Sequence, residues 1–169
     1  MAQAMFYHLT RSTAEATARI LLERALGQGW RVMLRGRDPD RLARLDDWLW
    51  TESEERFLPH GLEGGVRDAE QPVLIGRGGA VNGARAVLLV DGALASDEEL
   101  CGMERVWLVF DGGDGAALEA ARAEWRRCAG LGVAAQYWSE ESGRWQMMTE
   151  RKAVGDGLGR NAGGGGQGA

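Results

Sequence analysis

The sequence predicts an α/β fold, a three-layer sandwich in which helices cover both faces of a mostly parallel β-sheet. Short apolar runs typical of buried strands alternate along the chain with longer amphipathic segments typical of helices. The run RVWLVFD at 105–111 is apolar almost throughout, as expected for a strand covered on both faces. With 169 residues, of which 44% are hydrophobic and 27% charged, the chain is long enough to bury a core without disulfide or metal support.

The first part of the chain contains two predicted strand–helix pairs. MFYHL at 5–9 favours a strand, and the helix predicted after it has Ser12 and Glu15 as a capping box and ends in glycines. WRVMLR at 30–35 favours the second strand. In the following helix, Asp38 is placed to cap the first turn and Pro39 to begin it.

After an irregular segment at 51–71, the remaining elements follow from apolar runs and capping residues. Strands are predicted at PVLIG, ARAVLLVDG and RVWLVFD, a short helix at SDEELCGM, and a longer helix from Asp114 to Gly130 with Asp114 as its cap. The final runs, VAAQYW and GRWQMM, predict an antiparallel pair that turns at SEESG.

We expect one domain over residues 1–150 and a flexible glycine-rich tail over residues 151–169. No apolar run approaches the roughly 18 residues needed to span a bilayer. The first residues lack the pattern of a secretory signal. These features predict a cytoplasmic protein without a membrane segment.

The net charge of −5 and the acidic isoelectric point argue against direct binding to nucleic acid, which requires a broad basic face. A small basic patch would be selective in such a negative field. We therefore expect partners other than DNA or RNA.

Catalytic signatures are weak in this sequence. FDGGDGAA at 110–117 lies where a phosphate-binding loop would, but Asp111 and Asp114 would repel a phosphate, and no dinucleotide or P-loop motif is present. His8 and His60 are isolated from nucleophiles and from metal-ligand spacing. We predict no catalytic residue, no metal and no cofactor. A nucleotide-binding or small-molecule-binding α/β enzyme is the alternative, and it predicts a nucleotide-dependent thermal shift.

The most informative segment is AARAEWRRCAG at 120–130. Helical periodicity places Trp125 on the apolar stripe, with Arg122 and Arg126 along its edge. One interpretation is a core tryptophan with solvated neighbours. The other is a binding site for an acidic and aromatic partner, because tryptophan and arginine are frequent interface anchors.

The chain resembles the chi subunit of bacterial DNA polymerase III, the clamp-loader accessory protein. The resemblance covers roughly residues 5–148 and rests on FYHL, RLARLDDWLW, FLPHGL, VDGA with RVWLVFDGGD, and ARAEWRRCAG, in that order. It implies a Rossmann-like fold without nucleotide chemistry. It also implies a non-catalytic role in DNA replication, in which the protein binds the acidic C-terminal tip of single-stranded-DNA-binding protein and links it to the clamp loader through the psi subunit. An adaptor for a repair helicase is the other role it implies.

Four residues match the family's tail-binding pattern: Trp50, Arg122, Trp125 and Arg126. By this resemblance, the arginines would bind the partner's carboxylates, and Trp50 and Trp125 would wall one pocket for its terminal aromatic ring. Phe57 matches a phenylalanine linked to the psi-side contact and is the candidate for a second partner surface.

The sequence also departs from the family pattern at two positions. Trp125 stands where the family often has tyrosine, and Leu118 stands where it has a basic residue one turn before Arg122. Loss of that cation is expected to weaken binding of the partner's tail or to shift the geometry of binding.

Overall fold

A computed structural model of the chain describes residues 2–52 and 57–154. The predicted tail falls outside the described residues from position 155 onward. None of the helices in the described ranges has the length and apolar character needed to cross a membrane.

The described residues form eight strands and four α-helices, close to the elements that the sequence predicts. Along the chain these are β1 (Gln3–Leu9), α1 (Ala14–Gly27), β2 (Val32–Arg35), α2 (Pro39–Thr51), β3 (Gly61–Leu62), β4 (Val73–Gly76), β5 (Ala86–Leu89), α3 (Asp97–Gly102), β6 (Arg105–Asp111), α4 (Gly115–Gly130), β7 (Ala134–Ser139) and β8 (Gln146–Arg151), with a short 3₁₀ helix at Asp68–Glu70.

Side-chain caps begin all four α-helices of the described ranges, including α3, where Ser96 accepts from Glu99 N. The Asp38 carboxylate accepts a hydrogen bond from Asp40 N at 3.0 Å, with Pro39 in the first turn of α2, as predicted. Asp114 caps α4 by accepting from two backbone N–H groups. At α1 the prediction is wrong, because Thr13 and not Ser12 is the cap, and its hydroxyl accepts from Ala16 N. The Ser12 hydroxyl instead donates to the carboxylate of Glu140 at 2.7 Å.

The strands form one sheet in the order β3-β4-β2-β5-β6-β1-β7-β8. Every neighbouring pair is parallel except β7 and β8, which are antiparallel. A mostly parallel sheet with one antiparallel edge is the predicted arrangement, and the connections between its parallel strands carry the helices.

The helices divide between the two faces of the sheet. Because strand side chains alternate, Tyr7 lies on the face covered by α1 and α2, whereas Phe6 lies on the face covered by α3 and α4. Leu22 and Leu49 belong to the first core, and Cys128 belongs to the second. The predicted three-layer sandwich is confirmed.

Strands β3 and β8 differ from the predicted elements. Strand β3 falls inside the segment predicted to be irregular. Strand β8 extends through Arg151, the first residue of the predicted tail, and Val154 N donates to Gly132 O at 3.2 Å.

Candidate partner-binding surfaces

Helix α4 presents Arg122 and Arg126 side by side at the surface. They are four positions apart in the helix, which corresponds to a rise of about 6 Å. The Arg122 side chain is 56% exposed and its Nη1 lies 2.7 Å from Glu119 Oε1. Arg126 is exposed and pairs with no acidic side chain in residues 2–52 and 57–154. Both guanidinium groups are therefore accessible to a partner.

Trp125 lies between these arginines and is half-buried. Its ring centroid is 5.3 Å from that of Phe6 and 6.1 Å from that of Tyr137, both in edge-on geometry. These contacts hold the indole against the core on the α4 side of the sheet. The two interpretations of Trp125 thus describe one residue, whose inner side packs in the core while its neighbours on α4 reach solvent.

A third cation joins this group from β8. The Arg151 guanidinium lies over the indole of Trp125, 4.9 Å from the ring centroid, and Nη2 donates to Trp125 O at 3.0 Å. Its buried Nε has no hydrogen-bond partner within the described ranges. Sequence reasoning missed Arg151 because it assigned the residue to the tail. Continuation of the β8 pattern through QMMTER was the signal that could have found it.

We call Arg122, Trp125, Arg126, Tyr137 and Arg151 the arginine–tryptophan surface. Tyr137 contributes a half-buried ring from β7, and its hydroxyl lies 2.7 Å from His8 Nδ1. Burial raises the pKa of Tyr137, and the nearby Arg122 guanidinium opposes that shift. The tyrosine is therefore neutral at pH 7 and offers an apolar flank beside the cations.

Arg127, the remaining arginine of this helix segment, has a different role. Its guanidinium lies 2.7 Å from Glu124 and 2.9 Å from Asp97, and it donates to Ala95 O at 2.6 Å. These bonds tie α4 to the start of α3. The Arg127 guanidinium therefore stabilises the fold, whereas those of Arg122 and Arg126 remain accessible to a partner.

Trp50 does not share a pocket with Trp125, and this part of the prediction is wrong. Trp50 belongs to α2, which packs on the Tyr7 face of the sheet, whereas Trp125 belongs to α4 on the Phe6 face. The two indoles are in different layers of the sandwich. The structure brings Arg122, Trp125 and Arg126 together and separates Trp50 from them.

Trp50 instead forms a second exposed cluster with Phe57, which we call the Trp50–Phe57 surface. The ring of Trp50 lies 4.3 Å from that of His60 and 5.7 Å from that of Phe57. Trp50 is 49% exposed and Phe57 is 75% exposed. Phe57 also borders a recess of about 230 Å³ lined with Leu26, Leu58 and Glu23. An exposed aromatic pair beside an apolar recess is typical of a protein-binding surface.

His60 supports that surface from below. It is buried, and its Nδ1 lies 2.6 Å from Leu58 O while its Nε2 lies 3.2 Å from Asp46 Oδ1. Burial raises the pKa of Asp46, and the neighbouring His60 acts in the opposite direction. The imidazole fixes the chain after α2 and supplies a ring that Trp50 contacts at a tilt of 37°.

A cavity of about 870 Å³ opens at the carboxyl ends of β1, β2, β5 and β6. Ligands of α/β sheets bind at this position. Its walls carry both signs of charge, with Arg37 and Arg44 on one side and Asp111 and Asp114 on another. Asp111 and Asp114 accept hydrogen bonds from backbone N–H groups of the turn that opens α4. That turn therefore offers carboxylates where a phosphate loop offers N–H groups.

No cluster of three or more His, Cys, Asp or Glu side chains suited to a metal ion occurs in the part of the chain that the structure describes.

Comparison with known proteins relates this chain to one protein family and to one curated protein. A family model described as "DNA polymerase III chi subunit, HolC" matches residues 1–136. That range contains α2, Phe57 and α4, and it ends before Arg151. A protein of Pseudomonas aeruginosa named DNA polymerase III subunit chi is 33% identical over 92 residues, which cover 53% of this chain. The chain spans 63% of that relative's length.

Proposed function

Since this chain belongs to the DNA polymerase III chi subunit family, we propose that it is a non-catalytic accessory subunit of the bacterial DNA polymerase III holoenzyme. In this proposal it binds the acidic C-terminal tip of single-stranded-DNA-binding protein through the arginine–tryptophan surface. It thereby links that protein to the clamp loader during DNA replication.

The observation that carries the proposal is the grouping of Arg122, Arg126 and Arg151 around a half-buried tryptophan on an otherwise acidic protein. Guanidinium groups bind carboxylates through charge-assisted and often bidentate hydrogen bonds. The stack on Trp125 holds Arg151 in place, so less conformational entropy is lost when it binds an anion. An acidic peptide would be oriented by these three cations.

The aromatic residue of the tail requires an apolar contact beside the cations. Because Arg151 covers Trp125, we assign that contact to the exposed parts of Tyr137 and Leu118, which pack against the same core cluster. Full burial of one ring contributes about 2 to 3 kcal/mol. Leu118, which replaces a family cation, thus adds apolar area where it removes charge.

The affinity follows from these terms. A disordered tail loses conformational entropy on binding, so we expect a dissociation constant on the order of micromolar, which increases as salt screens the exposed arginines. The net charge of −5 disfavours direct contact between this chain and DNA. Its contact with the single strand would be indirect, through the partner.

Arg122→Ala and Arg126→Ala are each expected to weaken binding of the partner's C-terminal peptide by about tenfold or more, because each removes a hydrogen bond to a charged group. Their thermal unfolding should change little, since both side chains are exposed. The measurement is a calorimetric titration with the last ten or so residues of single-stranded-DNA-binding protein.

Two control variants sharpen that titration. Arg44→Ala removes the same charge from an exposed position on α2, and Trp50→Ala removes an exposed indole from that same helix. Both should retain wild-type affinity for the peptide. Equal affinity in the wild type, Arg122→Ala and Arg126→Ala would contradict the assignment of this surface.

We further propose that the Trp50–Phe57 surface binds the psi subunit or the clamp loader. The two rings lie in the other layer of the sandwich, so both partners could be held at once. Phe57→Ala is expected to abolish co-purification with the psi subunit or clamp loader while leaving the affinity for the tail peptide unchanged. Loss of both interactions, or of neither, would contradict two separate surfaces.

A further inference from the structure

The turn between β1 and α1 encloses a carboxylate from the far end of the chain. Glu140, which follows β7, is only 5% exposed. Its Oε1 accepts hydrogen bonds from the backbone N–H groups of Thr10, Arg11 and Ser12 at 2.9, 2.7 and 2.6 Å. Its Oε2 accepts from the Ser12 hydroxyl at 2.7 Å. Four donors of one turn therefore converge on a single anionic group.

The position of this turn is informative. It follows a central strand of a parallel sheet and leads directly into α1, whose N-terminus carries a partial positive charge. In nucleotide-binding α/β folds, phosphate oxygens bind to backbone N–H groups at this position. Three consecutive N–H groups and a hydroxyl would suit a phosphate oxygen as well as they suit a carboxylate oxygen.

Glu140 differs from the other acidic residues at this edge of the sheet. Asp111 and Asp114 accept from N–H groups two or three residues further along their own turn, as is ordinary for aspartate in turns and caps. Glu140 reaches a turn that is about 130 residues away in sequence. It occupies that turn as a bound ligand would.

We propose that the β1–α1 turn is a preformed oxyanion site, that Glu140 is its resident anion, and that a free oxyanion of the phosphate or sulfate class binds there when the Glu140 side chain is removed. The residues of this site are distinct from the arginine–tryptophan surface. The site also explains physically why a Rossmann-like chain leaves its first strand–helix turn closed to nucleotides.

The test is thermal unfolding of Glu140→Ala in increasing inorganic phosphate or sulfate, with sodium chloride adjusted to constant ionic strength. Binding to the native state alone shifts the folding equilibrium by a factor of about eleven when the anion is at ten times its dissociation constant. We expect the unfolding temperature of Glu140→Ala to increase with phosphate or sulfate and that of the wild type to remain constant. If Glu140→Ala is unfolded without added anion, phosphate should restore its circular dichroism.

Two further variants separate this proposal from a general effect of charge. Glu141→Ala removes a carboxylate from the neighbouring, exposed position and should not respond to phosphate. Ser12→Ala combined with Glu140→Ala lacks one of the four donors and should respond more weakly than Glu140→Ala. The proposal is overturned if phosphate neither stabilises nor refolds Glu140→Ala, or if Glu141→Ala responds equally.

Discussion

Glu99→Ala is expected to lose about 3 to 5 kcal/mol of the free energy of unfolding, because it leaves a buried guanidinium without its counter-charge. Arg35 projects from the end of β2, and its Nη1 and Nη2 lie 2.8 and 2.9 Å from the two carboxylate oxygens of Glu99 on α3. The side chains are 10% and 15% exposed. Arg35 also donates to Gly78 O and Leu94 O, so it cannot move to water without breaking two further bonds.

Urea unfolding followed by circular dichroism measures this loss. Glu98→Ala is the matched control, since Glu98 is the neighbouring carboxylate on the same helix and is exposed. It should change the free energy of unfolding by no more than about 0.5 kcal/mol. A loss below about 1 kcal/mol in Glu99→Ala would show that Arg35 is solvated after all.

Sequence pattern predicts the central elements of this fold because they depend on local physics. Strand β6 is apolar on both faces, and Asp38 and Asp114 stand immediately before amphipathic segments where only a cap is favourable. Strand β3 has two residues and no apolar periodicity, so no local sequence pattern predicts it. It exists because the parallel neighbour β4 is available to pair with it.

The N-cap of α1 is a second feature that the local sequence pattern does not determine. Either hydroxyl fits the local pattern of an N-cap. The structure uses Thr13 because Ser12 is occupied by Glu140, a residue far away in sequence. A contact between residues so far apart in sequence cannot be predicted from the residues around α1.

The same distinction between local pattern and long-range contacts applies to the candidate site. Helical periodicity alone places Arg122, Trp125 and Arg126 together, because they lie within two turns of one helix. It does not determine which face of the sheet each helix covers. That depends on the strand order, in which β2 and β1 are separated by β5 and β6. The separation of Trp50 from Trp125, and the approach of Arg151 through the register of β7 and β8, both follow from this order.

Acid is expected to remove a large part of the stability of this protein through Glu140. Burial alone would raise the pKa of this carboxyl, but the hydrogen bonds from Ser12, Arg11 and Thr10 outweigh burial and lower the pKa to about 2. A native pKa below the unfolded one means that the unfolded state binds the proton more tightly. The contribution is therefore complete above about pH 5 and is lost as pH falls from there towards 2.

A difference of two to three pKa units corresponds to about 3 kcal/mol. We expect Glu140→Gln, whose amide oxygen still accepts from the turn but cannot titrate, to be less stable than the wild type at pH 7 by about that amount. Urea unfolding of both proteins between pH 7 and pH 2.5 measures the difference, which should shrink steadily as the pH falls. A constant difference across this range would mean that Glu140 titrates alike in both states, and that the turn does not stabilise its charge.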